Sequence, residues 1–161
     1  MPDQAVVNAS PLIFLAQADR LEFLQYAASE ILVPAAVSAE IRQQGATDPA
    51  VQALEKERWL EVVEDPPIPP HIQAWDLGRG ESSVLAFAMA HPPIVAIIDD
   101  LNARRCATTF QIPVSGTLGL VLTAEKEGRI ALARPVLDQL RQSGMYLSDR
   151  VLNQALSFVG E

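Results

Sequence analysis

Two adjacent carboxylates, Asp99 and Asp100, follow the uncharged run Ile94-Val95-Ala96-Ile97-Ile98 without a spacer. A strand can end on Gly, Asn or Pro, so like charges set side by side suggest a task that needs both. Two glutamates raise the same question. Glu40 stands four residues after Ala36 and three after Val37, while Glu81 precedes Val84, Leu85 and Ala88 by three, four and seven positions, so each is expected on the apolar face of a helix. A carboxylate facing a core must be paired, protonated or metal-bound, because burying a bare charge is strongly unfavourable. If these acids converge, a hard divalent cation held by oxygen relieves their repulsion. Such an ion suits phosphodiester hydrolysis, which needs activated water, in-line attack and neutralisation of a growing negative charge.

Basic residues stand close by. Arg104 follows Asp100 by four positions, which gives either a helical ion pair or, with Arg105 and Arg79, a grip for a phosphate beside an acidic centre. The chain as a whole is acidic, with 20 Asp and Glu against 12 Lys and Arg and a net charge of -8. That balance excludes a generally basic surface coated by nucleic acid or anionic lipid, so a polyanion must be met by a local cluster. His71 and His91 flank prolines and are not expected to bind metal. The single Cys106 cannot form an internal disulfide and has no partner for thiol chemistry, which fits a reducing compartment, with the cytoplasm as the expectation. The stretch Gly78-Arg79-Gly80-Glu81 lacks both a third glycine and a preceding strand, so it is not a dinucleotide loop.

Positioning these groups falls to short apolar runs at 5–8, 30–34, 59–63, 94–98 and 112–116, which read as strands. Between and after them, helical spacing covers 10–18, 34–45, 48–58, 80–91, 100–110, 117–128, 134–144 and 148–159. Ser10 before Pro11, Asp48 before Pro49, and Asp100 are the expected N-caps, and Gly45 is placed as a stop. The segment 64–72 holds four prolines and is predicted to be a stiff loop without helix. Strands alternating with helices predict an α/β fold with a mostly parallel sheet, in one domain spanning 1–161. In such sheets ligands sit beyond the carboxyl ends of the strands, which is where Asn8, Asp99 and Asp100 fall. No run approaches the roughly 18 apolar residues of a membrane helix, and Asp3 stands where a signal peptide would carry Lys or Arg.

In sequence order, VVNASPLIFLA, VPAAVSAEI, GRGESSVLAFAMA, IIDDLNARR and IPVSGTLGLVLTAEKEGRI resemble the PIN-domain (PilT N-terminus) proteins, and most closely a prokaryotic branch of predicted nucleic-acid-binding proteins and toxin-like ribonucleases. The resemblance covers essentially the whole chain. It implies a three-layer α/β/α fold and a Mg²⁺- or Mn²⁺-dependent ribonuclease acting on RNA, expected to be single-stranded. It further implies a toxin paired with a small antitoxin protein, and a homodimer. The family's first acid falls on Asn8, its second on Glu40, its third on Glu81 and its fourth on Asp100 with Asp99 adjacent; Ser10 matches the small hydroxyl residue after the first acid. On this reading Asn8, Glu40, Glu81, Asp99 and Asp100 bind metal, the four acids among them are catalytic, and Ser10, Arg104 and Arg105 contact substrate. The helices of about 116–159 pack on the domain or supply the dimer face.

Asn8 is a departure. Its amide oxygen can ligate a hard cation, more weakly than a carboxylate, and it cannot act as a base. The alternative reading is therefore a weak or inactive PIN-like module that binds RNA or an antitoxin without cutting. A phosphoacceptor receiver domain also gathers acids at strand ends, but it needs an acidic pair after the first strand, where Val6-Val7-Asn8 offers none.

Overall fold

A computed structural model of the protein describes residues 3–161. Five strands, β1 (Gln4–Val7), β2 (Glu30–Pro34), β3 (Leu60–Val63), β4 (Val95–Ile97) and β5 (Val114–Ser115), form one parallel sheet in the order β3-β2-β1-β4-β5. In the centre Val6 pairs with both Leu32 and Ala96, and Val7 with Ile97. These strands read as unbroken apolar runs because both sheet faces are covered: Ala5, Val6, Val7, Ala96 and Ile97 are wholly buried. The chain moves from β1 outward to β2 and β3, then returns to β4 and moves outward the other way to β5. The order therefore reverses between β1 and β4, and a crevice opens at their carboxyl ends.

Right-handed crossovers put the helices that follow β1 and β4 on opposite faces. On one side α1 (Ala9–Gln17) packs against a 3-10 turn (Leu21–Tyr26), α2 (Ala35–Arg42) and α3 (Pro49–Lys56). The one-turn α4 (Pro70–Gln73) leads into α5 (Arg79–Ala90), which packs on β1, β2, β4 and α6 (Leu101–Thr109). This is the three-layer α/β/α arrangement. Helix α2 also touches α5, so the two meet across the crevice. The last helices, α7 (Thr117–Lys126), α8 (Ala133–Gln142) and α9 (Asp149–Ser157), pack on one another, and α7 returns to the 3-10 turn beside α1.

Two details differ from the sequence expectation. Helix α1 begins at Ala9 with Asn8, not Ser10, at the cap position. The Asn8 N–H is the last sheet bond, to Ile97 O at 3.0 Å, so the chain turns from strand to helix without an intervening residue. Pro11 then sits inside the first turn, where a missing N–H breaks no helical bond, and Ser10 is exposed on that turn. The same tolerance explains α4, a helical turn within the proline-rich segment, which starts on Pro70 and buries Ile72 completely.

Candidate metal centre

Asn8 ends β1 nearly buried, at 6% exposure, and its side chain makes no capping bond to α1. A Cβ on Gly80, in the first turn of α5, would lie 3.4 Å from Asn8 Oδ1, 3.1 Å from Glu40 Oε2 and 3.4 Å from Val37 Cγ2. Glycine at this position thus preserves a hollow shared by an amide oxygen from β1 and a carboxylate oxygen from α2. The neighbouring cavity, about 410 Å³, is lined by Ala36, Ala39, Glu40, Arg79, Gly80 and Glu81 among others. Glu40 itself is exposed. It shares a helical face with Val37, which is wholly buried in the core, but its own carboxylate reaches past that core toward Gly80 at the edge of the crevice.

Glu81 is the third residue of α5 after its cap, Gly78, and its carboxylate accepts a hydrogen bond from the Gly78 N–H, one half of a capping box. Burial raises its pKa above the ordinary 4.5, the Asp100 carboxylate raises it further, and Glu40 adds to the effect, while the Gly78 bond pulls the other way. Acids from α2 and from the start of α6 therefore both act electrostatically on Glu81 of α5. Asp100 caps α6, its Oδ2 accepting from the Ala103 N–H at 3.0 Å, and it is otherwise exposed.

Asp99 has a different set of partners. Its Oδ1 accepts from the Thr117 N–H and its Oδ2 from the Thr117 hydroxyl, both at 2.7 Å, and Thr117 is wholly buried. The cap residue of α7 is Gly116, which has no side chain to offer, so Asp99 caps α7 from the end of β4. A Cβ at Gly116 would lie only 2.7 Å from Arg104 Nη1 and 3.0 Å from Asp99 Oδ1, so a larger residue there would displace the Arg104 guanidinium. The adjacent aspartates thus divide: Asp100 edges the acidic crevice and Asp99 fastens α7 to the sheet. A further acid, Asp65, had no signal in the sequence. Its Oδ1 accepts from the Ala36 N–H at 2.9 Å, capping the helix that carries Glu40, and its Oδ2 lies 3.8 Å from Arg79 Nη2.

Among the described residues no three His, Cys, Asp or Glu side chains already stand close enough to grip one ion. Mutual repulsion keeps carboxylates apart unless a cation offsets it, and Glu40 and Asp100 are free to spread into water. Three carboxylates and one amide oxygen, with no His or Cys among them, are the kind of side chain that would suit a hard divalent ion such as Mg²⁺ or Mn²⁺.

A family model described as a PIN domain matches residues 4–161. This chain belongs to the PIN-domain family. No curated protein matches it. The PIN domain is a nuclease-type fold associated with nucleic-acid binding and, generally, with divalent metal ions. In this PIN domain Arg104 is half-buried, its Nη1 donating to Ile98 O at 3.0 Å, and Arg105 is exposed one residue on. Both histidines take part in packing: His71 meets the edge of Phe110 and lies 3.3 Å from Met89 Sδ, and His91 stacks on Phe87. Cys106 is buried, which pushes its thiol pKa up and suits a packing role. Among the described residues no helix is long and apolar enough to cross a membrane.

Proposed function

We propose that this PIN domain is a divalent-cation-dependent endoribonuclease that hydrolyses phosphodiesters of single-stranded RNA in the β1/β4 crevice. The observation that carries this reading is the hollow that Gly80 keeps open between Asn8 Oδ1 and Glu40 Oε2, beside a cavity that Glu81 also lines and where burial, Asp100 and Glu40 raise the Glu81 pKa. Glu81 and Asp100 would hold the ion, with Glu40 and Asn8 binding it directly or through water. When bound, Mg²⁺ or Mn²⁺ supplies charge neutralisation and a more acidic water. Arg104 and Arg105 bind the phosphate backbone, and Ser10, the exposed residue in the otherwise buried first turn of α1, contacts substrate. Asp99 acts as a positioning residue: by capping α7 it fixes the turn that brings Asp100 to the crevice. The test is cleavage of single-stranded RNA with Mn²⁺, in which Asp100→Asn is expected to abolish activity; equal rates in variant and wild type would remove the proposed role.

Asn8 favours a second reading, a PIN module that binds RNA or an antitoxin peptide without cutting. The substitution Asn8→Asp decides between them. A large gain in cleavage marks the native site as crippled, whereas no gain in a protein that binds metal well marks asparagine as a working variant. We further propose that residues 1–161 act as one domain, cytoplasmic and homodimeric, with a small antitoxin partner. Exposed Leu132, Val151 and Phe158 in the C-terminal helical region support self-association there. Light scattering reads the oligomeric state directly.

A further inference from the structure

We infer that a second cavity, beside the acidic crevice and walled by Trp75, Arg104, Arg105 and Thr108, is a subsite for one nucleotide of single-stranded RNA, with the base stacked on Trp75 and the phosphate held by the arginines. This rests on the nuclease reading for the identity of the polyanion, but its own evidence is separate. The cavity measures about 560 Å³ and is completed by Leu101, Thr109 and Val114. Its lining holds two cations and no acid, on a chain with 20 acidic and 12 basic residues. The ion pairs seen among the described residues involve Arg42, Arg79, Arg129 and Arg141 and neither arginine of this cavity, although Arg104 also shares a neighbouring cavity with Asp99. Two arginines lining one concavity that has no acid in its wall form a local basic site on an otherwise repulsive surface.

The walls are also ordered in a way that suits a flat ligand. The bond from Arg104 to Ile98 O fixes one guanidinium, and Arg104 follows Asp100 by one helical turn, so the cavity adjoins the acidic centre. The backbone of Trp75 is held by α4: its main-chain N–H donates to Ile72 O at 3.0 Å, and Ile72 is wholly buried. The Thr108 and Thr109 hydroxyls, both on the cavity lining, donate to Arg104 O and Arg105 O, which leaves their oxygens able to accept from a ligand N–H. An indole beside paired arginines is the combination that binds unpaired bases, since a duplex keeps its base faces covered.

The chain has two tryptophans, and Trp59 lines a different cavity with Asp19, Glu22 and Lys56. A Trp59→Phe protein therefore reports Trp75 alone. Titration with a short uridine-rich oligoribonucleotide in EDTA is expected to quench Trp75 emission saturably, and a fully paired RNA duplex is not. In an otherwise native background Trp75→Ala should weaken binding of a labelled oligonucleotide by about five-fold or more, Trp75→Phe should retain most of it, and Arg105→Ala should lower the salt slope by about one. Circular dichroism of each variant checks that it folds. Binding without a change in Trp75 emission, or binding indifferent to Trp75→Ala, overturns the subsite. Cleavage of the same oligonucleotide with Mn²⁺ separates the two claims: cleavage without quenching removes the subsite and keeps the nuclease, quenching without cleavage does the reverse, and neither removes both.

Discussion

Replacing Gly80 by alanine should separate stability from metal binding. Gly80 lies within α5 and outside the left-handed region, so alanine fits its backbone and should add about 0.5–1 kcal/mol of helix stability. The new methyl would sit 3.1 Å from Glu40 Oε2, closer than nearly all real Cβ contacts, and 3.4 Å from both Asn8 Oδ1 and Val37 Cγ2. Glu40 is exposed and its carboxylate ends a flexible chain, so it swings aside at little cost; Asn8, nearly buried, has less room. The expected result is a melting temperature unchanged or raised by up to about 4 °C in EDTA. Mn²⁺ affinity should fall on the order of tenfold or more, as when the support around a metal ligand is lost. Thermal denaturation and calorimetric titration read the two quantities independently. Native Mn²⁺ affinity in a stable Gly80→Ala protein would refute the idea that Glu40 and Asn8 share the hollow as ligands, and a loss of several kcal/mol in stability would refute the packing argument.

Other substitutions give contrasting outcomes. Asp99→Ala leaves the buried Thr117 hydroxyl and N–H without their acceptors and should cost about 2–3 kcal/mol in urea unfolding, well above the cost of Asp100→Asn; equal stabilities would show that Asp99 does not hold α7. Because the folded-state pKa of Glu81 lies above 4.5, the native state binds more protons than the unfolded chain in that window. Its contribution to stability is accordingly lost as pH rises through the folded value. Glu81→Gln should therefore be at least as stable as the wild type at neutral pH without metal, with an advantage that shrinks on acidification; the opposite trend would mean Glu81 is stabilised by its surroundings. Asp65→Ala uncaps α2 and should cost about 1 kcal/mol, and, since α2 carries Glu40, should weaken Mn²⁺ binding; an unaltered affinity would detach Asp65 from the site.

What could be read from the sequence was whatever is decided locally. The caps Asp48 and Asp100 bond to N–H groups two and three residues away, so their residue types alone placed the starts of α3 and α6. Likewise Glu40 shares its face with Val37 through the helical period, and β1 and β4 announced themselves as strands by their uninterrupted apolar character. The interactions that the sequence did not show act over distance. Asp65 reaches Ala36 across 29 positions and Asp99 reaches Thr117 across 18, and neither pairing leaves a trace in spacing. The paired aspartates looked like one functional unit because nothing in the order of residues says that α7 starts beside the end of β4. The identity of the α1 cap turned on a sheet bond from Asn8 to Ile97, again a tertiary fact. Trp75 gained meaning only when the fold set it beside Arg104 and Arg105.

The most direct test of a shared cation site is calorimetric titration of Mn²⁺ into the wild type and into Glu40→Gln, Glu81→Gln and Asp100→Asn, repeated in buffers of different ionisation enthalpy. Saturable binding to the wild type is expected, with release of the proton that Glu81 holds tightly as the solution pH approaches its raised pKa, and each substitution should weaken binding by about tenfold or more. Wild-type protein that takes up no Mn²⁺, or three variants that bind it as the wild type does, would contradict the claim that these acids serve one ion.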